Sequence, residues 1–269
     1  MRISSTDNPI YRRLKQLATS AKACREARRT LIEGVHLLQA ALDAHVPIHT
    51  LVLRGAEHSD EALALARAAE AQSKAKLIEF APALYDGISP VEHGAGVLAE
   101  IEFATPPWPK QILDDAIYLD NVQDTGNVGT LLRTAAAAGI CCAITGPGCA
   151  FIWSPRVMRA AMGAHFVLDL HEQITPQKLR DAFAGEVLAA DATGGENLFE
   201  AEWGESATLW LFGGEGRGLG ADALLAANRR LRIPVDNRVE SLNVGAAAAV
   251  CLFEQKRRRG QLVRATRVR

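Results

Sequence analysis

The chain has 269 residues, 48% of them hydrophobic, with a formal net charge of −1, enough apolar side chain to bury a sizeable core in one or two domains. That composition excludes a disordered chain, and no apolar run approaches the ~20 residues a membrane helix needs. No apolar h-region follows Met1, so cytoplasmic residence is expected.

Five cysteines without a CxxC and seven histidines without an HExxH spacing predict reduced, buried thiols and no metal site. The near-neutral total hides an uneven distribution. Residues 1–30 carry eight Lys or Arg against Asp7 and Glu26, and residues 256–269 carry seven against none. The stretch between holds 15 basic and 29 acidic residues. Basic ends on an acidic body supply the sequence-independent attraction to phosphate that nucleic-acid binders use; solvated helix faces are the plainer alternative.

In chain order, residues 8–21 read as a helix with Ile10, Leu14 and Leu17 on one stripe. Residues 30–44 read as a second helix, with Leu31, Val35, Leu38 and Leu42 at helical spacing. Residues 49–53, 76–80 and 96–103 read as strands around a helix at 61–72, a small α/β unit. Thr105-Pro106-Pro107-Trp108-Pro109 then forbids helix and central strand alike, because three prolines remove donors and fix φ. This divides the chain into residues 1–104, a linker at 105–111 and residues 112–269.

Beyond the linker, strands and helices alternate: strand 116–120, helix 127–138, strand 141–145, helix 155–162, strand 166–170, helix 176–183 and strand 187–190. Strand 208–212, helix 221–229, strand 231–235 and a long helix from Val244 complete the pattern. Such alternation predicts a parallel sheet covered by helices, whose ligands bind beyond the carboxyl ends of the strands.

Three segments carry polar residues at those ends. The first runs Asp120-Asn121-Val122-Gln123-Asp124-Thr125-Gly126-Asn127-Val128-Gly129 and reaches Arg133 six residues after Asn127. Six helical residues turn about 600° and advance about 9 Å, so a long Arg side chain leaning toward the N-terminus reaches back toward the loop. The second is Gly213-Gly214-Glu215-Gly216-Arg217-Gly218, which lacks both the GxGxxG placement and a P-loop GK[ST]. The third is Ile233-Pro234, then Glu240-Ser241-Leu242-Asn243-Val244-Gly245 at a helix start, where Ser or Asn would also serve as an ordinary cap.

Taken together, in this order and at these distances, the three segments resemble the sequence motifs of SpoU (TrmH-type) RNA 2′-O-ribose methyltransferases of the SPOUT class. Ser154-Pro155-Arg156-Val157-Met158-Arg159-Ala160-Ala161-Met162-Gly163-Ala164 is similar to that family's connecting segment. Asn8-Pro9, Leu31-Ile32-Glu33-Gly34 and Gly96-Val97-Leu98-Ala99 resemble the ribosomal-protein-like RNA-binding module found ahead of such domains. Thr125 stands where the family usually has proline, Asn237 where it has glycine and Gly245 where it has serine. Asn tolerates the left-handed region, so the turn at 237 is expected to survive.

The resemblance implies an α/β chain with a small RNA-binding domain ahead of a SPOUT domain: a parallel sheet, a deep trefoil knot and a homodimer in which each site borrows from its partner. It implies S-adenosyl-L-methionine as cofactor, its adenine among backbone groups near Gly213, Ile233 and Leu242. Arg133 is implied as the group that favours loss of the 2′-hydroxyl proton, with Asn127, Glu215, Ser241 and Asn243 fixing the geometry. The implied substrate is structured RNA, ribosomal in preference to transfer RNA, with no membrane and no metal. The rival readings are a SPOUT enzyme acting on a base nitrogen and a non-catalytic RNA-binding protein. A dinucleotide-dependent oxidoreductase lacks its fingerprint.

Overall fold

The computed structural model describes residues 1–91, 94–203 and 206–266, with side chains described as far as residue 260. The chain forms two compact units, Met1–Ala104 with Phe151–Phe166, and Thr105–Ala150 with Val167–Arg269.

The first unit contains β1 (Arg2–Ile3), α1 (Pro9–Thr19), α2 (Ala21–Ala27), β2 (Arg29–Glu33), α3 (Val35–Asp43), β3 (Ile48–Arg54), α4 (Asp60–Ser73), β4 (Lys76–Phe80), α5 (Pro82–Asp86) and β5 (Val97–Glu102). Its five strands lie in the order β1-β4-β3-β5-β2. β1, β4 and β3 run parallel, and β5 runs antiparallel to both β3 and β2.

Two expectations are corrected here. The helix at 8–21 ends at Thr19, because Ser20 is extended and turns its hydroxyl to accept from Ala23 N–H, capping α2 instead. Tyr11, rather than the half-buried Ile10, joins Leu14 and Leu17 on the buried stripe. The single helix at 30–44 is a strand and a helix. Arg29–Glu33 pairs along β5, and Gly34, at φ +97°, makes the corner that a helix cannot contain.

Phe151–Phe166 packs with the first unit although the sequence reading placed it after the linker. Ser154 caps α7 (Pro155–Ala161), its hydroxyl accepting from Val157 N–H. The Trp153 ring stacks on Phe103 with centroids 4.7 Å apart, its carbonyl accepts from the Thr30 hydroxyl at 2.6 Å, and the Arg25 guanidinium lies over Phe151. Apolar and aromatic burial of this kind outweighs sequence proximity. His165 sits fully buried in the same segment with Nε2 donating to the Ile152 carbonyl, and burial pushes its pKa down to about 4. The expected strand at 166–170 is accordingly a 3-10 turn followed by β8 (Asp169–His171).

The second unit contains β6 (Ala116–Asp120), α6 (Thr125–Ala138), β7 (Cys142–Thr145), β8, α8 (Pro176–Ala182), β9 (Glu186–Ala190), β10 (Glu196–Asn197), β11 (Thr208–Gly213), α9 (Ala221–Ala226), β12 (Arg229–Arg232) and α10 (Val244–Thr266). All seven strands are parallel, in the order β10-β12-β9-β11-β6-β7-β8. β6 and β11 are buried along nearly their whole length, as central strands covered on both faces require. On one face Tyr118, Leu209 and Leu211 pack with Leu179 and Phe183. α9 stops earlier than expected because Asn228 hooks onto β9, exchanging two bonds with the Val187 backbone, which puts Arg229 in a strand.

α10 packs along α6. Gly245 permits this: a Cβ there would lie 2.8 Å from Thr130 Cγ2 on α6. Arg257, Arg258 and Arg259 in the basic end of α10 are tied to carboxylates and carbonyls of the protein, whereas Arg264, Arg267 and Arg269 lie outside the residues whose side chains are described. Arg257 and Arg258 pair with Glu254, Arg258 donates to the Leu198 and Ala201 carbonyls and covers Trp203, and Arg259 pairs with Asp115. Gln255 completes the network, accepting from Trp210 Nε1 at 2.6 Å and donating to Asp115.

Candidate active site

The second sheet has its topological switch between β6 and β11. From β6 the chain runs outward through β7 and β8, then returns to the far side of β11. Gly213 at the end of β11 lies in register with Asp120 at the end of β6. Because every strand is parallel, the loops after β6, β11 and β12 leave from one rim, the place where open α/β sheets hold ligands.

α6 begins with a division of labour. Asp124 is its cap, Oδ1 accepting from Asn127 N–H at 2.7 Å, so Asn127 is not the cap and its amide is left for another partner. That partner is Glu215: Asn127 Nδ2 donates to Glu215 Oε1 at 2.8 Å. Asn243 closes the triangle, its Nδ2 donating to the same Oε1 at 2.7 Å and to Asn127 Oδ1 at 3.0 Å. The Asn243 Oδ1 accepts from the Gly245 and Ala246 N–H groups at the start of α10. Its cap role and its site role are therefore met by opposite ends of one amide. Three residues separated by up to 116 positions fix one another's rotamers, and one carboxylate oxygen of Glu215 takes no part in the triangle.

The loop after β11 folds on itself. Gly218 N–H donates to the Gly214 carbonyl, and Gly216 and Gly218 adopt φ +80° and +64°. A Cβ on Gly213 would collide with the Gly218 carbonyl and Leu219 nitrogen. Glycine is thus required at 213 first by the loop's own return. Asp120 fastens both ends of that loop, its carbonyl accepting from Gly214 N–H and its Oδ2 from Gly220 N–H at 2.7 Å. Sequence reading missed Asp120 and Asp124 as organisers; an aspartate closing a strand and another three residues before Asn127 were the available signals.

The third segment runs from the half-buried Ile233 to Asn243. Asp236 Oδ1 accepts from Arg238 N–H and shapes the turn at 237–238, so Asn237 does not use the left-handed region. The Arg238 guanidinium in turn holds the Asp236 carboxyl below the usual range. Val235, Val239 and Leu242 are 38%, 54% and 39% exposed on this segment. These apolar side chains lie open to solvent on the segment that carries Asn243 to Glu215.

Two expected residues lie outside the triangle. Ser241 is exposed, two residues before Asn243, and makes no bond to Asn127 or Glu215. Arg133, on the third turn of α6, is exposed and has no hydrogen bond or ion pair among the described residues. The rim therefore joins Asn127, Glu215 and Asn243, sets Gly213, Ile233 and Leu242 on the adjoining loops and leaves Arg133 and Ser241 open. Among the described residues no cluster of His, Cys, Asp or Glu is arranged to hold a metal.

The model of the SpoU rRNA Methylase family matches residues 115–253, and that of the MRM3-like substrate binding domain matches residues 8–99. An uncharacterized tRNA/rRNA methyltransferase of Synechocystis is 31% identical, over 95% of this chain and 93% of its own length. The 23S rRNA (guanosine(2553)-2′-O)-methyltransferase of Bacillus subtilis is 33% identical, over 51% of this chain and 56% of its own. The crystal structure of an AdoMet-bound rRNA methyltransferase from Sinorhizobium meliloti superposes with a TM-score of 0.82 at 27% identity, covering 96% of this chain and 98% of that one. The chain belongs to the SpoU rRNA methylase family, with a substrate-binding domain of the MRM3-like type ahead of the methylase domain.

Proposed function

We propose that this protein methylates a ribose 2′-hydroxyl of structured RNA, ribosomal in preference to transfer RNA, using S-adenosyl-L-methionine, and that it works as a cytoplasmic homodimer. The observation that carries the reading is the Asn127–Glu215–Asn243 triangle, drawn from the three motif segments at one sheet rim. When bound, the cofactor supplies the electrophilic methyl group. Gly213, Ile233 and Leu242 would hold it through backbone groups and apolar contact, in keeping with the open apolar side chains of residues 235–242.

The chain's own task is alignment and charge. Asn127 and Asn243 fix Glu215 in one rotamer, and the free carboxylate oxygen is presented to an arginine or to the acceptor nucleotide. A guanidinium offers N–H donors and no acceptor, so Arg133 acts by holding phosphate and stabilising the acceptor oxygen as its proton passes to solvent water, not as a general base. Ser241 orients the acceptor from the rim. Arg133 and Ser241 are exposed in one chain, which suits a site completed against a second copy. The threaded, knotted path belongs to the same proposal.

The test is mass spectrometry of nucleosides from RNA treated with the protein and cofactor. A 2′-O-methylated nucleoside is expected; a methylated base nitrogen, or no methylation despite RNA binding, selects a rival reading. Arg133→Ala is expected to lower turnover about 100-fold or more, with cofactor affinity nearly unchanged. Full activity in that variant removes Arg133 from the mechanism.

A further inference from the structure

In the first unit a carboxylate lies where strand residues are normally apolar. Glu100, in the middle of β5, is fully buried, with 0% side-chain exposure. Its oxygens are occupied: Oε2 accepts from Arg13 Nη2 at 2.8 Å and from the Thr50 hydroxyl at 2.6 Å, and Oε1 accepts from Arg29 Nη1 at 3.1 Å. The Thr50 hydroxyl in turn accepts from Arg13 Nη2 at 3.2 Å. Arg13 comes from α1, Arg29 from the start of edge strand β2 and Thr50 from β3, so three elements meet on one buried anion.

A buried carboxylate needs a cationic partner, and one well-placed arginine would satisfy it. Here there are two, and the cluster keeps a net positive charge. Both guanidinium side chains also reach solvent, Arg13 being 46% and Arg29 30% exposed. Each spends a single Nη on protein partners among the described residues, and the remaining N–H donors of both forks are unspent. Three nearby basic residues differ: Arg12 pairs with exposed Asp7, Lys22 with exposed Glu26 and Arg2 with Glu79, carboxylates that an incoming anion would have to displace. Glu100 cannot compete in that way, since it holds the arginines from beneath. Arg28, next to Arg29, is exposed and adds positive field.

We propose that Arg13 and Arg29, braced side by side by Glu100, form a fork that binds an RNA phosphodiester. Two guanidiniums already immobilised lose little side-chain entropy on engaging a phosphate, and their planar donors match its oxygens. RNA is the source of that phosphate because the substrate-binding model spans residues 8–99, which contain both arginines. The inference deepens the proposed function and rests on its claim that this chain binds RNA.

The test measures binding of the full-length protein to a protein-free 23S ribosomal RNA transcript across a potassium chloride series, with cofactor affinity in parallel. Arg13→Gln and Arg29→Gln are each expected to weaken RNA binding about 10-fold near physiological salt. Each should also flatten the slope of log affinity against log salt by about one, with cofactor affinity unchanged. Arg29→Lys should keep the slope and lose part of the affinity. A triple variant, R13Q/R29Q/E100Q, leaves no charge buried and guards against loss of fold; it should melt near the parent and show the combined deficit. Single variants that melt earlier but bind RNA with parental affinity and slope make the cluster a structural staple and overturn the fork. The same holds for a triple variant that binds normally. A parent protein with no salt-dependent binding to the transcript overturns the RNA reading and the fork together, whereas normal parental binding with unaffected variants overturns the fork alone.

Discussion

Glu33 and Glu100 lie inside the mixed sheet of the first unit, whereas Asp120, Asp124 and Glu215 lie at the open rim of the parallel sheet in the second. The buried pair is held by side chains: Glu33 accepts from Tyr85 and Ser89, and Glu100 from Thr50 and two arginines. Burial pushes both the Glu33 carboxyl and the Tyr85 hydroxyl up. The rim carboxylates instead hold backbone N–H groups and amides, and they shape loops. The mixed sheet of this protein takes its polar side chains into the interior singly, while its parallel sheet gathers them where the strands end, as open α/β sheets do. Removing a rim group should therefore cost activity, and leaving an interior charge without its partners, or forcing one to form, should cost stability.

Glu215 gives the largest expected effect. Glu215→Ala removes the acceptor shared by Asn127 and Asn243, and steady-state kinetics should show a fall in kcat of about 100- to 1000-fold, comparable to losing one preorganised electrostatic group. Thermal unfolding should stay within a few degrees of the parent, since the residue is exposed. A large drop in melting temperature with retained kcat would reverse the comparison for this residue.

His165 probes the interior. Its folded pKa, about 4, lies below the ~6.5 of an unfolded histidine, so the unfolded chain binds a proton first as the pH falls. Stability from this group is whole above about pH 6.5 and is lost progressively toward pH 4, by about 3 kcal/mol at the limit. His165→Gln keeps a donor for the Ile152 carbonyl and cannot titrate. Denaturant unfolding of that variant should show a flatter acid limb between pH 6.5 and 4; an unchanged limb would assign the acid loss elsewhere.

Gly213 sits on the boundary between the two behaviours. Gly213→Ala drives a Cβ into the backbone at 218–219, and the loop, not the strand, must give way. A stability loss of about 1–3 kcal/mol is expected, together with weaker binding of the cofactor by calorimetry. Unchanged affinity would separate the loop from the cofactor.

The parallel sheet and its rim were legible because a doubly buried strand must be apolar throughout and must end in a polar loop, as 208–213 does. Asn127, Glu215 and Asn243 were legible as a set only through their joint resemblance to a family; singly, each reads as a cap or a loop residue, and Asn243 is indeed also a cap. Arg29–Glu33 was not legible, because Leu31, Val35, Leu38 and Leu42 keep helical spacing across a glycine corner that only the pairing with β5 reveals. Nor was the packing of Phe151–Phe166 with the first unit, since ring stacking between Trp153 and Phe103 leaves no trace in local periodicity. Part of the basic end of α10 was hidden for a related reason: charge counting cannot see Glu254 and Asp115 waiting for Arg257, Arg258 and Arg259.

The cysteines offer the smallest but most local contrast. Cys141 is exposed, against the expectation of burial, because it precedes β7, while Cys142 opens that strand, which is buried at every position. Burial pushes the Cys24 and Cys149 thiols up to about 11 and Cys142 to about 12, and raises Cys251 as well. A disulfide-exchange reagent should therefore label one thiol per chain rapidly at neutral pH, and Cys141→Ser should abolish that phase. Cys24 belongs to the first unit, and Cys142, Cys149 and Cys251 to the second. With a reagent that remains reactive in acid, lowering the pH toward 5 should expose Cys24 ahead of Cys251, because the cost of neutral His165 falls on the first unit alone. Equal rates for the two thiols would mean that the units open as one, and the assignment of interior charge to one unit's stability would have to be abandoned.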